Sequence, residues 1–568
     1  MTAAHFHAHF AHWPKRLPHR IDPPRTALPH NLQVSAERFG SKTALAFLGV
    51  EFSYDQLLDK VERLSTWLVS VGVKPGDRVI LCMQNCPQLV MAHWAILRAN
   101  AVVVPVNPMN KAMELAHYIT DAQARVAITT SDLMREWAPA NDSVPADQLL
   151  EHVLCTHFTD VFEPQRQGPH ALPESWWPWL TARPEVSAPK GVRLHTWEQA
   201  WSHERKPPPL TVGADDLAVL PYTSGTTGLP KGCMHLHRSL MHNTMATSFW
   251  GNGTPQTVSL AAVPMFHITG LVSVMHSTLY LGGTLVIMPR WDRDLAARLI
   301  EHHQITHWTN IPTMVIDLLG SPRFDQYQLG SLVYIGGGGA AMPQAVAQRL
   351  LELFGLVYAE GYGLTETAAP SHSNPTDAAK QQCLGIPILS AECRVVNPQT
   401  LEPLGVGEVG EILIHGPMVF EGYWRNPEAT AAAFVEVDGL RFFRSGDMGR
   451  IDEEGYYFIT DRLKRMINAS GFKVWPAEVE ALLFRHPAIQ EACIIAARDA
   501  YRGETVKAVV VLRQSHTGQV SEQDIIDWSR AHMAVYKAPT QVQFIDALPK
   551  SGSGKVMWRQ LQEAELNS

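Results

Sequence analysis

The chain runs to 568 residues, too long for one hydrophobic core, so two or more domains are expected. Apolar residues make up 46% and charged residues 18%, which excludes a disordered chain. A net charge of −8 gives a nucleic-acid partner no support, and none is expected.

The N-terminus carries His5, His7, His9 and His12 and lacks the apolar run of a secretory signal. It reads as a solvated, mobile tail, with metal binding as the competing reading of its histidines. Seven scattered cysteines with no CxxC pair point to reduced, mostly buried thiols in a cytoplasmic protein. From residue 41 to 140, strand-like and helix-like patterns alternate. Thr43–Phe47, Arg78–Cys82 and Ala101–Val106 are apolar runs of strand length, whereas Tyr54–Val71 and Leu89–Ala99 have helical spacing. This alternation argues for α/β layers with largely parallel sheets. Phe158–Pro209 is rich in Trp and Pro with little periodicity, and reads as an insertion or a long surface connection.

The alternation resumes at Leu217-Ala218-Val219-Leu220, a buried strand by its pattern. It empties into Tyr222-Thr223-Ser224-Gly225-Thr226-Thr227-Gly228-Leu229-Pro230-Lys231-Gly232. A loop this dense in hydroxyls and free backbone N–H groups can wrap phosphate oxygens, and Lys231 adds a point charge. A flexible surface loop is the alternative. It is not a Walker motif, because Pro230 precedes the lysine and Gly232 follows it.

No Asp, Glu, Lys or Arg stands between Arg238 and Arg290. Prolines and glycines interrupt that stretch, and the helix-like piece Thr269–Leu281 is shorter than the ~20 residues a membrane span needs, so a buried strand–helix–strand core is expected. Residues 405–455 are turn-rich with short strands. Beyond Asp461–Lys464 the pattern gives a helix near 476–485, strands near 492–497 and 507–512, and a helix over 522–533.

Further motifs stand in fixed order. They are Pro264-Met265-Phe266-His267, Gly361-Tyr362-Gly363-Leu364-Thr365-Glu366-Thr367, Arg444-Ser445-Gly446-Asp447, Asp461-Arg462-Leu463-Lys464, Ser470-Gly471-Phe472-Lys473, and Leu548-Pro549-Lys550-Ser551-Gly552-Ser553-Gly554-Lys555. Together with Thr223–Gly232 they resemble the signature of the adenylate-forming, AMP-binding superfamily, in its acyl-CoA synthetase branch. Within that branch the chain resembles medium- and long-chain fatty acid–CoA ligases.

The resemblance implies an α/β fold. A large N-terminal domain of layered sheets (1–460, subdomains near 1–215, 216–396 and 397–460) would end in a small β-barrel-like piece. A small mobile α/β domain (461–568) would follow a hinge at 461–464. It implies ATP, Mg²⁺ and CoA as cofactors and co-substrates, with a small-molecule carboxylic acid as partner. Peripheral membrane contact and a homodimer stay open.

By resemblance, Thr223, Ser224, Gly225, Thr226, Thr227, Gly228 and Lys231 form the phosphate loop. Gly338, Ala340, Tyr362, Gly363, Thr365, Asp447 and Arg462 complete the ATP/AMP site, with Asp447 on the ribose hydroxyls. Glu366 would hold the metal, and Lys555 would bridge acyl carboxylate and α-phosphate. His267 would gate an acyl pocket of Ile268, Thr269, Ser273, Met314, Gly338 and Gly339, in which four glycines, Gly336 to Gly339, leave an open wall. Lys464 is the hinge, and Ser470, Gly471 and Phe472 would meet CoA. A ligase for aryl, arylalkanoic or steroid side-chain acids is the alternative, and an inactive nucleotide-binding protein a remoter one.

Overall fold

The computed structural model describes residues 3–223, 229–462, 465–469, 472–499, 503–550 and 556–566. The chain divides into two compact units. The larger comprises His9–Glu392 and Ile414–Phe443, the smaller Met1–Ala8, Cys393–Leu413 and Arg444–Ser568. The expected boundary at 460/461 falls inside the smaller unit, within the strand Tyr457–Arg462.

Two large sheets form the body of the larger unit. In one, Val102–Pro105, Arg78–Cys82, Val126–Thr130 and His152–Thr156 lie parallel at the centre. Their residues form near-continuous apolar runs, as strands covered on both faces require. In the other, six parallel strands from Thr43–Phe47 to Ala359–Leu364 are flanked by antiparallel edge strands. Helix Tyr54–Ser70 opens on a Ser53/Gln56 capping box and buries Leu57, Val61, Leu64 and Leu68 along one stripe.

The smaller unit packs helices Pro476–Leu483 and Glu522–His532 on a sheet whose long pair is Ile489–Asp499 with Gly503–Leu512. Val479, Leu483, Ile494, Val510 and Ile525 meet in its core. Strand Leu440–Ile451 begins by pairing with Phe434–Val437 in the larger unit and ends by pairing with Tyr457–Arg462 in the smaller one.

Two expectations are corrected. The N-terminus is no solvated tail. Residues Ala3–His12 form a 3-10 helix in which Phe6 and His9 are buried. Phe10 stacks on His19, and Trp13 meets Trp250 edge-on. Aromatic residues spaced three to four apart anchor it where the histidine content suggested solvation.

Nor is Phe158–Pro209 only a connection. Within it, Arg193–Thr196 adds a parallel strand to the edge of the seven-stranded sheet and leads into helix Trp197–Trp201. An edge strand with half-exposed polar residues leaves no apolar run to read. All seven cysteines are buried thiols outside any disulfide. Among the described residues, no helix is long and apolar enough to cross a membrane.

Candidate active site

The phosphate-loop motif sits on a short hairpin. Tyr222–Thr223 pairs antiparallel with Lys231–Gly232, with Lys231 opposite Thr223. Residues Ser224 to Gly228 lie outside the described residues. The hairpin is fixed at both feet. The Tyr222 hydroxyl donates to Asp121 Oδ2 at 2.6 Å, and His117 Nε2 lies 2.8 Å from the Pro230 carbonyl. Burial, with the Asp121 carboxylate second, pushes the Tyr222 phenol far up, so it stays a donor.

The segment around Tyr423 runs beside the hairpin. Trp424 N–H donates to the Gly232 carbonyl at 2.8 Å and Met234 N–H to the Gly422 carbonyl at 3.0 Å. That register lays the Tyr423 ring under the Lys231 ammonium, 4.7 Å from Nζ to centroid. The Tyr423 hydroxyl donates to Glu366 Oε1 at 2.8 Å, and Phe420 N–H donates to the Glu366 carbonyl at 2.9 Å. Glu366 itself is 8% exposed. Lys231, over the ring face, and Glu366, at the hydroxyl, are thus tied to the same tyrosine.

Thr365, Glu366 and Thr367 form a 3-10 turn at the end of strand Ala359–Leu364. The turn is strained: Ala368 and Ala369 follow at φ 51° and 82°. Asn243, fully buried, holds it there. Its Nδ2 reaches the carbonyls of Thr367, Ala368 and Pro370 at 2.9, 2.8 and 3.0 Å. His235 Nε2 donates to the Thr365 carbonyl at 2.6 Å, and burial holds that imidazole down at about 4, hence neutral. Tyr362 is buried with its ring centroid 5.6 Å from that of His372, while Gly363 is exposed.

The glycine run does not leave the expected open wall. On strand Tyr334–Gly338, a Cβ at Gly337 would lie 1.8 Å from the Asn310 carbonyl oxygen, and one at Gly338 2.2 Å from that of Gly361. Neighbouring strands fill that space, so these glycines serve close backbone approach. Gly339 and Ala340, just past the strand, are exposed.

His267, half-buried, precedes a π-helix, Thr269–His276. This rare form is frequent at functional sites. Asn85 fixes the approach to it, donating to the carbonyls of Ala261 and Val263 and accepting from Met265 N–H at 2.8 Å. Ile268 and Met314 are buried, Ser273 is half-buried and Thr269 is exposed.

In the smaller unit, Asp447 is fully buried and stands directly opposite Arg462 in register. Glu411 braces the strand just before it, accepting from Arg444 Nε at 3.0 Å and from Gly446 N–H at 3.2 Å. The Ser445 hydroxyl donates to the Ile412 carbonyl at 2.6 Å. Asp461 Oδ2 caps helix Pro476–Leu483 by accepting from Ala477 N–H at 2.6 Å. Lys464, Ser470, Gly471 and Lys555 lie outside the described residues, and Phe472 is described only as the first residue of strand Phe472–Val474.

Over residues 32–424 the sequence matches the family of AMP-binding enzymes, and over 478–555 the C-terminal domain of those enzymes. The chain belongs to the AMP-binding enzyme family. It is 34% identical to a long-chain-fatty-acid–CoA ligase of Bacillus subtilis, over 98% of both chains. To a feruloyl-CoA synthase of Amycolatopsis it is 33% identical, over 91% of this chain and 94% of the relative. ATP-bound MatB of Rhodopseudomonas palustris superposes with a TM-score of 0.80 at 29% identity, covering 95% of this chain and 99% of that one.

Within this AMP-binding enzyme, the linear motifs marked Lys231, Thr365, Glu366 and Asp447 but missed what holds them. Tyr423, His235, Asn243, Asn85 and Glu411 belong to no motif. The aromatic cluster Phe420-Glu421-Gly422-Tyr423-Trp424 was the one available signal for Tyr423.

Proposed function

We propose that this AMP-forming acyl-CoA synthetase acts on medium- or long-chain fatty acids. In this reading a carboxylate oxygen attacks the α-phosphorus of ATP, and the bond to pyrophosphate breaks. The thiolate of CoA then attacks the acyl carbon, and the bond to AMP breaks. The first step brings two anions together, so it needs fixed positive charge. Lys231 on its tyrosine platform supplies part of it, and Arg462 and Lys555 supply the rest. Asp447 takes the ribose hydroxyls, a task suited to a carboxylate.

A single buried carboxylate fits Mg²⁺, a hard cation that arrives with phosphate and water oxygens of its own, so Glu366 would hold it. When bound, the ion neutralises charge on the phosphates. Between the two steps the segment beyond Asp461 swivels about 461–464. Lys555 then leaves the acyl carboxylate, and Ser470, Gly471 and Phe472 meet CoA.

What supports the fatty acid is the full-length likeness to a long-chain ligase, together with a stretch from Arg238 to Arg290 free of Asp, Glu, Lys and Arg that includes the π-helix. The feruloyl-CoA synthase likeness, nearly as high, keeps an aryl acid as the second reading. The test is CoA-dependent AMP release across acetate, hexanoate, octanoate, palmitate, benzoate, coumarate, phenylpropanoate and a steroid carboxylate. The proposal expects a rate that climbs with alkyl length. A peak on coumarate or another ring-bearing acid refutes it in favour of the aryl reading.

A further inference from the structure

His170, His302 and His303 lie in the larger unit and share no residue with the candidate active site. Each offers one ring nitrogen, and the three nitrogens lie within 4.8 Å of one another. His302 and His303 close the last turn of helix Arg293–His303. His170 comes from the segment between Phe158 and Pro209, at a tight turn. Ala171 N–H donates to the Gly168 carbonyl at 3.2 Å, and Leu172 N–H to the Gln165 carbonyl at 3.0 Å.

The cluster is built, not accidental crowding of long side chains. Arg298, one turn before His302 on the same helix, grips the backbone on both sides of His170. Its Nη2 donates to the Ala171 carbonyl at 2.8 Å and its Nε to the Pro169 carbonyl at 3.3 Å. The helix that carries two of the imidazoles therefore also positions the third. His170 Nδ1 is turned to the Gly49 turn, 3.5 Å from where a Cβ there would sit. That leaves Nε2 to face His303 Nε2 at 3.1 Å. The His302 ring stands edge-on to His170, with centroids 4.7 Å apart.

A ring-nitrogen pair at that distance requires at least one lone pair between the two atoms. Burial, followed by the neighbouring imidazoles, holds His170 and His303 below the ordinary range. Neutral imidazole is the form that binds metal. In a tetrahedral zinc site with nitrogens ~2.0–2.1 Å from the ion, ligand atoms stand about 3.4 Å apart. The His170–His303 pair is already close to that spacing. Glu51 favours a cation beside His170, whereas the Arg298 guanidinium opposes one, its donors being committed to carbonyls.

We propose that His170, His302 and His303 bind a divalent transition-metal ion of the Zn²⁺ class, with water as the fourth ligand, clipping the 165–172 turn to helix Arg293–His303. The N-terminal histidines flagged by the sequence are not part of it. Among the described residues, the His170 cluster is the one group of this kind.

The test uses the full, untagged chain, stripped with a chelator and dialysed against micromolar Zn²⁺ alone, with bound metal and melting temperature measured. One equivalent bound by the wild type is expected, with a higher melting temperature in its presence. His302 is exposed, so His302→Gln tests a ligand with little structural cost. It should weaken binding at least tenfold and abolish the thermal shift. A variant with His5, His7 and His12 changed to Gln should keep the full equivalent. Three results would overturn the site: no metal retained by the wild type, equal affinity in His302→Gln, or loss of the equivalent in the N-terminal variant.

Discussion

Glu360 stands one residue before the Gly361-Tyr362-Gly363 motif and is 6% exposed. Its Oε1 accepts from Gln382 N–H at 3.0 Å, yet burial outweighs this and carries the carboxyl from 4.5 to about 7. At 1.36 kcal/mol per pH unit, that displacement is worth about 3 kcal/mol. The unfolded chain releases this proton above pH 4.5 while the folded chain holds it to about 7. Folding therefore takes up a proton in that window. Stability from this group is lost as pH rises across it and stays lost above it.

Glu360→Gln removes the titration and keeps an acceptor for Gln382. Its stability relative to wild type should rise by about 3 kcal/mol between pH 4.5 and 8, read by chemical denaturation across the range. The difference between the two proteins is the quantity to follow, because buried histidines act with the opposite sign in the same window. A difference that stays flat with pH would refute a proton held by burial.

Those histidines give a second expectation. Burial lowers His235, His237 and His242 to about 4, and His276 and His372 to about 3. The unfolded chain takes up their protons first, so stability should drop steadily as pH falls from 6.5 towards 4; a melting temperature constant over that range would contradict it. Tyr423→Phe keeps the ring beneath Lys231 but takes a donor from buried Glu366. A loss of about 1–3 kcal/mol in that contact should slow ATP–pyrophosphate exchange about tenfold, and unchanged exchange would show that the hydroxyl does not hold Glu366 for the reaction. Lys555→Ala should slow adenylation by ~10²–10³ and leave thioester formation from pre-made acyl-AMP largely intact. Equal losses in both half-reactions would remove the bridging role.

Much of this architecture is legible from residue pattern because its central strands are buried on both faces. Thr43–Phe47 and Arg78–Cys82 are continuous apolar runs, and the structure gives them the same bounds. Arg193–Thr196 escapes because an edge strand tolerates polar side chains. Thr269–Leu281, helix-like in sequence, is helical in the structure, but its π form over Thr269–His276 leaves no mark because those residues are apolar on most faces. The candidate site residues stand out for another reason: a loop proposed to hold phosphate and a carboxylate proposed to hold a metal need fixed neighbours in sequence. Their supports do not. Asn243 acts on carbonyls more than 120 positions away, and Tyr423 on Glu366 across 57, contacts that only the folded chain creates.

The seven buried cysteines bear on how the reaction can be watched. Only thiolates react with disulfide dyes, and burial pushes Cys86, Cys155 and Cys493 up to about 12. The folded enzyme is therefore nearly silent to such dyes at neutral pH. The thiol of CoA is then the one strong signal in the mixture, so aliquots quenched into dye report its consumption against almost no protein background. The same burial shields the protein's own thiols from oxidants that consume CoA.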